Sequence, residues 1–147
     1  MSGATFDQLN IVSDDLDATV TFYRRLGVAL GDPARTAAGE PFHANSKAGT
    51  GASLEADSTA FARVWNEGWK GESDLDGRVV IGLRVVSRAE VDRTYAEVVE
   101  AGHKGLQPPF DAFWGARYAI VEDPNGLAVG LMSPRDDSHR SPPPEFS

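Results

Sequence analysis

Few side chains in this sequence have the chemistry needed for acid–base or covalent catalysis. The chain has 147 residues with three histidines and no cysteine, so a thiolate nucleophile, a thiolate metal ligand and a disulfide are excluded. The motifs Gly-x-Ser-x-Gly and Gly-x-x-x-x-Gly-Lys are absent. His43 is the histidine that we expect on a strand, and it is the sole candidate general base. A lone histidine is more often structural or exposed, so we predict no catalytic residue beyond this candidate and no cofactor.

Aromatic residues occur in two stretches that could hold a ligand. Trp65 and Trp69 lie in the middle of the chain, and Phe113 and Trp114 lie further on. Such rings can stack on a flat or cationic molecule. Alternatively, they plug the ends of a cleft or form a dimer interface. Glycine neighbours favour Trp69 and Trp114 as ligand contacts, because the backbone can bend around them.

The charge of the chain limits its partners. A net charge of -8 argues against nucleic acid and anionic membranes, since both require a basic surface. The same charge permits a cationic ligand, although acidity often serves solubility alone. No apolar run approaches the ~20 residues that span a bilayer, and no secretory signal opens the chain. We therefore predict a cytoplasmic protein.

The elements that would position these residues occur twice in the same order. Residues 5–12 alternate in polarity and predict a strand, which is followed by a helix that begins near Asp15. Residues 79–86 predict the corresponding strand, and Ser87 and Glu90 form a capping box at the start of the corresponding helix. About three strands follow each helix.

The second half ends in a hairpin. Its turn is Asp123-Pro124-Asn125-Gly126, in which proline sets φ at the second position and glycine closes the reversal. Residues 105–110 contain two prolines and predict a loop before the hairpin. Residues 135–147 are polar and proline-rich, which predicts a disordered or loosely attached tail.

Together these elements predict an α+β fold of two tandem βαβββ repeats. The repeats cover residues 5–57 and 78–134 of a single domain, 1–134, with a connector at 58–77. Each repeat would form a small sheet with its helix packed on the outer face, and the two sheets would form a cleft.

Several short motifs resemble those of the vicinal oxygen chelate superfamily, which contains glyoxalase I, extradiol dioxygenases and bleomycin resistance proteins. The resemblance covers about residues 5–134, and it implies the paired repeats, a small-molecule ligand and a homodimer. The motifs are Asp15-Leu16-Asp17-Ala18, Phe22-Tyr23-Arg24-Arg25-Leu26-Gly27, Glu100-Ala101-Gly102, Trp114-Gly115-Ala116-Arg117 and Asp123-Pro124-Asn125-Gly126.

The resemblance also indicates where a metal would bind. Metal-dependent members of this family carry His or Gln on the first strand of each repeat and Glu on the last. These positions fall on Gln8 and Glu55 in the first repeat, and on Val80 (or the next residue) and Gly130 in the second. Valine and glycine cannot hold a metal. Gln8 and Glu55 remain as weak candidate ligands, with His43 as a third in principle, but we expect polar residues that line the cleft and no metal.

Strand alternation predicts the lining of the cleft. If Gln8 points inward, so do Asn10 and Glu55 on the same sheet. Arg84 points inward on the second sheet, where it would form an ion pair with Glu55 or hold the opposite end of a ligand. The rest of that side would be a smooth floor that leaves room for a ligand, made of Val80, Gly82, Ala128 and Gly130.

These observations favour metal-independent binding of a small organic molecule, cationic or aromatic, as in bleomycin resistance proteins. The alternatives are a metal-dependent lyase or oxidoreductase of the glyoxalase or dioxygenase type that uses Gln8 and Glu55, and a regulatory domain with a closed cleft. The predicted ligand-binding residues are Gln8, Asn10, His43, Glu55, Trp65, Trp69, Arg84, Phe113 and Trp114.

Overall fold

The computed structural model describes residues 6, 8–46, 51–67 and 79–145, and the chain forms two compact units, Met1–Asp74 and Leu75–Ser147. Each unit contains a four-stranded sheet and one copy of the predicted βαβββ order. The α+β prediction is therefore confirmed. None of the described helices has the length and apolar character needed to cross a membrane.

The first unit contains a sheet of strand order β1-β4-β3-β2. Strands β1 and β4 are parallel, whereas the other neighbours are antiparallel. Its elements are β1 (Gln8–Ser13), α1 (Leu16–Arg25), β2 (Ala34–Arg35), β3 (Pro41–Asn45), β4 (Ser53–Ser58) and α2 (Thr59–Trp65).

Helix α1 covers one face of this sheet. The side chain of Asp15 accepts a hydrogen bond from Ala18 N (3.0 Å) and so satisfies a free donor at the helix start. Gly27 follows the helix with φ of 91°, a left-handed conformation that glycine adopts without strain. The buried hydroxyls of Thr19 and Ser13 lie 2.8 Å apart and join α1 to β1. The apolar side chains of this face are therefore enclosed between sheet and helix.

The second unit repeats this topology with the strand order β5-β8-β7-β6. Helix α3 starts at the predicted cap, where Ser87 Oγ accepts from Glu90 N (3.2 Å). Asp123 Oδ1 accepts from Asn125 N and Leu127 N in the predicted hairpin turn. The elements are β5 (Val80–Arg84), α3 (Arg88–Glu100), β6 (Gly105–Asp111), β7 (Arg117–Glu122) and β8 (Ala128–Met132).

Residues 105–110 are a strand, so the prediction of a loop there is wrong. Strand β6 lies at the edge of its sheet, where a proline removes no hydrogen bond to a further strand. Its pairing with β7 shifts register between Gly105 and Gln107 and again between Gln107 and Phe110. These irregularities accommodate the two prolines. In the sequence alone, the same prolines indicated a loop.

Residues 136–141 are held against the second unit, which corrects the prediction of a loose tail over this segment. Asp136 N donates to Gly115 O, and Ser141 N donates to Phe113 O, both at 3.0 Å. A short 3₁₀ helix, Asp137–His139, lies between these two contacts. The tail therefore runs along the loop that carries Trp114.

Gly115 is required where the tail meets this loop. Its φ is +92°, and a Cβ atom there would lie 2.5 Å from Asp136 O. Gly126 has a similar φ of +82° but no atom within 4 Å of such a Cβ. We expect Gly126→Ala to cost about 1–2 kcal/mol of unfolding free energy from backbone strain alone, and Gly115→Ala to cost more because the tail must also move.

Urea denaturation of both variants measures this difference, and hydrogen exchange of the Ser141 amide reports on the tail. Equal losses of stability, with the Ser141 amide equally protected in both variants, would contradict the tail contact.

Candidate functional site

The first sheet has one apolar and one polar face. Ile11, Ala44 and Ala56 are buried on the face that α1 covers. The polar face has two neighbouring rows of side chains across β1, β4 and β3, because paired residues in a sheet point to the same side. The rows are Asn10–Glu55–Asn45 and Val12–Asp57–His43.

Asp57 is the central residue of the polar face. It is only 3% exposed, and both of its carboxylate oxygens are used. Asn10, on β1, donates from Nδ2 to Asp57 Oδ2 (3.0 Å). His43, on β3, has its Nδ1 atom 2.5 Å from Asp57 Oδ1. Because a carboxylate only accepts, the proton of a neutral His43 ring belongs on Nδ1, and Nε2 remains as an acceptor. This arrangement orients His43 as a potential base.

Two acceptor oxygens of the polar face are buried with no donor among the residues that the structure describes. They are Asn10 Oδ1 and Glu55 Oε2, on residues that are direct partners in the register of β1 and β4. Neighbouring strands lie about 4.8 Å apart, so the two side chains present acceptors to the same small region. A buried acceptor without a donor is costly, and a ligand that donates hydrogen bonds would remove this cost.

Sequence reasoning missed Asp57, which lies at the end of the predicted first repeat and was not among the predicted residues of the cleft lining. Strand β4 continues to Ser58, so Ser53, Glu55 and Asp57 alternate onto one face. The same polar alternation, followed for two more residues, would have found it.

The space above Gly130 is occupied, so the prediction of a smooth floor with room for a ligand is wrong on this part of the second sheet. A Cβ atom on Gly130 would lie 2.6 Å from the hydroxyl oxygen of Tyr118. Tyr118 pairs with Met132 on β8, and an aromatic side chain reaches the diagonal neighbour. By contrast, a Cβ on Gly82 would have no atom within 4 Å.

Tyr118 belongs to an aromatic cluster of Phe110, Phe113, Trp114 and Tyr118. Trp114 lies at the centre, with ring centroids 5.2 Å from Phe113 and 5.6 Å from Tyr118, both edge to face. The indole nitrogen of Trp114 is buried, and no described residue accepts a hydrogen bond from it. Burial raises the pKa of the Tyr118 phenol, so this hydroxyl stays protonated at neutral pH. The structure thus brings the predicted residues Phe113 and Trp114 together.

The remaining predicted residues are placed separately. Gln8 is exposed at the start of β1, and Arg84 is exposed at the end of β5. Trp65 is 46% exposed at the end of α2. Trp69 lies outside the described residues. Glu55 belongs to the first unit and Arg84 to the second, and their pairing stays a prediction.

The donors of the described residues do not fit a metal centre. No three His, Cys, Asp or Glu side chains within residues 8–46, 51–67 and 79–145 come close enough to hold an ion. The register places Val80 opposite Ala128 and Gly82 opposite Gly130, just as Gln8 lies opposite Ser53 and Asn10 opposite Glu55. Val80 and Gly130 therefore occupy the positions equivalent to Gln8 and Glu55, and neither has a side-chain donor.

Removal of the Asp57 carboxylate tests its central position. We expect Asp57→Ala to lower the free energy of unfolding by about 2–3 kcal/mol, because Asn10 and His43 both lose their partner. Asp32→Ala is the control: its carboxylate pairs with Arg24 at 2.9 Å but is 95% exposed, so its loss should cost less than about 1 kcal/mol. Chemical denaturation measures both changes, and similar losses would refute the assignment.

Gly130 and Tyr118 are expected to be coupled. Gly130→Ala should lower the free energy of unfolding by about 1–3 kcal/mol, since the new methyl group collides with a packed ring. The cost should fall in a Tyr118→Ala background, and Gly82→Ala should not show this dependence. A double-mutant cycle by urea denaturation measures the coupling. Additive effects for Gly130 and Tyr118 would be inconsistent with the contact.

Comparisons with known proteins identify the fold. The chain is similar to a glyoxalase/bleomycin resistance protein/dioxygenase from Nocardioides, with 23% identity, a TM-score of 0.68 and coverage of 100% of this chain and 92% of that chain. A glyoxalase/bleomycin resistance protein/dioxygenase family enzyme from Burkholderia phytofirmans PsJN has 14% identity, a TM-score of 0.68 and coverage of 88% and 98%. Lactoylglutathione lyase from Agrobacterium tumefaciens has 16% identity, a TM-score of 0.60 and coverage of 90% and 96%. At these identities the likeness establishes the fold alone.

Family membership comes from the sequence. No curated protein matches the chain. The family model described as Glyoxalase/Bleomycin resistance protein/Dioxygenase superfamily matches residues 5–131, a range that includes strands β1 to β7, all but the last residue of β8, and helices α1, α2 and α3. The chain therefore belongs to the glyoxalase/bleomycin resistance protein/dioxygenase superfamily.

Proposed function

We propose that this protein binds a small organic molecule without a metal ion, and that the polar face of the first sheet holds a donor group of that molecule. The favoured ligand carries a protonated amine, whose N–H groups reach Glu55 and Asn10. In this respect the protein would act as the bleomycin-resistance members of its superfamily are expected to act, by holding a compound rather than transforming it.

The two unpaired acceptors carry this proposal. Glu55 Oε2 and Asn10 Oδ1 are buried and receive no hydrogen bond from the described part of the chain, whereas both oxygens of Asp57 are satisfied from within the sheet. Two adjacent acceptors, one of them on a carboxylate, match an ammonium group, which has three donors and a positive charge. The net charge of -8 further favours a cation over an anion.

His43 and Asp57 give the site a fixed geometry. Asp57 holds His43 through Nδ1 and holds Asn10 through its amide nitrogen, so the amide oxygen of Asn10 cannot be exchanged for a donor without loss of that bond. The site is therefore preorganised for a ligand that donates, which reduces the entropic cost of binding.

A metal-dependent glyoxalase or dioxygenase is the competing function within the same superfamily. It would require Gln8 and Glu55 to hold an ion with further donors. The donor set described above does not favour it, and the test below includes it as an outcome.

Protonated benzylamine is a suitable probe, and its binding is measurable by NMR titration. We expect Glu55→Gln to weaken binding about tenfold, because the change removes the negative charge from a charge-assisted hydrogen bond. Glu100→Gln makes the same chemical change on an exposed residue of α3 and should leave the affinity within about twofold.

Metal dependence separates the two functions. Binding that is unchanged by EDTA supports the proposal. Stoichiometric Zn, Ni, Mn or Fe in protein purified without chelator, lost in Glu55→Ala together with benzylamine binding, would instead support the metal-dependent enzyme. Equal affinities of the wild type and Glu55→Gln would refute the assignment of Glu55.

A further inference from the structure

A cavity lies within the first unit, at the end of its sheet. Its volume is about 690 Å³, and it is formed by the start of α1, the turn between β2 and β3, and helix α2. Pockets of about 300–1,000 Å³ accommodate small organic ligands. Its lining residues do not include Glu55, Asn10, His43 or Asp57, so this cavity is distinct from the polar face.

The floor of this cavity is aromatic. Phe42 and Phe61 line it, with ring centroids 5.2 Å apart in an edge-to-face arrangement. Val64 also lines the cavity and is 76% exposed. An apolar ligand body would cover this surface, and a ring face attracts a cation.

Four carboxylates surround the floor, and no Lys, Arg or His is among the described residues that line the cavity. Two of the four have structural roles: Asp15 caps α1, and Asp17 pairs with Arg35 at 2.7 Å. The other two are Asp14 and Glu40, whose side chains form no ion pair with any residue that the structure describes. These two charges are therefore available to a ligand.

Acidic residues at the start of α1 also interact favourably with the helix dipole, but this interaction does not account for the other residues of the cavity. Glu40 lies on the turn between β2 and β3 and belongs to no helix. Phe42 and Phe61 are uncharged, so they do not stabilise the helix dipole either. The combination of aromatic side chains with carboxylates from two separate segments favours one kind of ligand.

We propose that this cavity is a second binding site, which takes an organic cation with an apolar or aromatic body, such as a quaternary ammonium compound. The cation lies over Phe42 and Phe61, and Asp14 and Glu40 supply the opposite charge. No hydrogen-bond donor is required of the ligand, in contrast to the site at Glu55.

Benzyltrimethylammonium tests this site because it has a positive charge and an aromatic ring but no N–H group. In an NMR titration, it should shift the amide signals of residues that line the cavity, and benzyl alcohol and benzoate should bind more weakly. The double variant Asp14→Asn/Glu40→Gln should weaken binding about tenfold, since each carboxylate contributes a partly screened attraction. Raising the salt concentration should weaken binding by the wild type for the same reason.

The matched control is Asp32→Asn/Glu100→Gln, which removes the same two charges from exposed positions elsewhere. This variant should keep the affinity within about twofold. Equal binding of benzoate and benzyltrimethylammonium, equal losses in the two double variants, or signal shifts confined to other residues would each overturn the proposal.

The proposals for the two binding sites can be tested independently. Glu55→Gln should leave the affinity for benzyltrimethylammonium unchanged, and Asp14→Asn/Glu40→Gln should leave the effect of Glu55→Gln on benzylamine binding in place. A cavity that takes no cation would not affect the proposal for Glu55, and the reverse also holds.

Discussion

Burial of the Asp57 carboxylate is the constraint on which the first unit's polar face depends. A buried charge is tolerated when hydrogen bonds compensate for the lost hydration, and here the compensation comes from two other strands. Asp57 thereby ties β1, β4 and β3 together on the face opposite α1. The same bonds determine which atoms remain for a ligand. Asn10 uses its amide nitrogen for Asp57, so its amide oxygen remains, and His43 uses Nδ1, so Nε2 remains.

The two units have the same strand topology, but the sheet faces at equivalent positions carry different side chains. In both, the first and last strands of the repeat are parallel neighbours at the same place in the sheet. In the first unit this pairing presents amide and carboxylate side chains. In the second unit it presents glycines, and an aromatic cluster lies beside them. Backbone hydrogen bonding therefore fixes the shared fold, while side chains at equivalent positions give each face its own chemistry.

Local signals in the sequence predicted most of the elements, and long-range contacts account for what they missed. The helix start near Asp15, the cap at Ser87 and the turn at Asp123 depend on residues within a few positions of one another, so they were predicted correctly. The strand at Gly105–Asp111 was missed because its prolines are tolerated only at a sheet edge, which is a property of the whole sheet. Asp57 contacts a partner 47 residues away, and the position of Tyr118 over Gly130 depends on the pairing of two strands. No periodicity within one segment contains this information.

The ring over Gly130 also bears on how this protein could change over time. In metal-dependent relatives the equivalent position is expected to carry a glutamate, and any side chain at 130 begins with a Cβ that would lie 2.6 Å from the Tyr118 hydroxyl. A glutamate at position 130 would therefore meet an occupied space, and Val80 would still offer no donor. Donors at both positions would require replacements at 80, 118 and 130, with the change at Tyr118 made before or together with the change at Gly130. Tyr118 therefore restricts position 130 to a residue without a side chain for as long as its ring keeps this place.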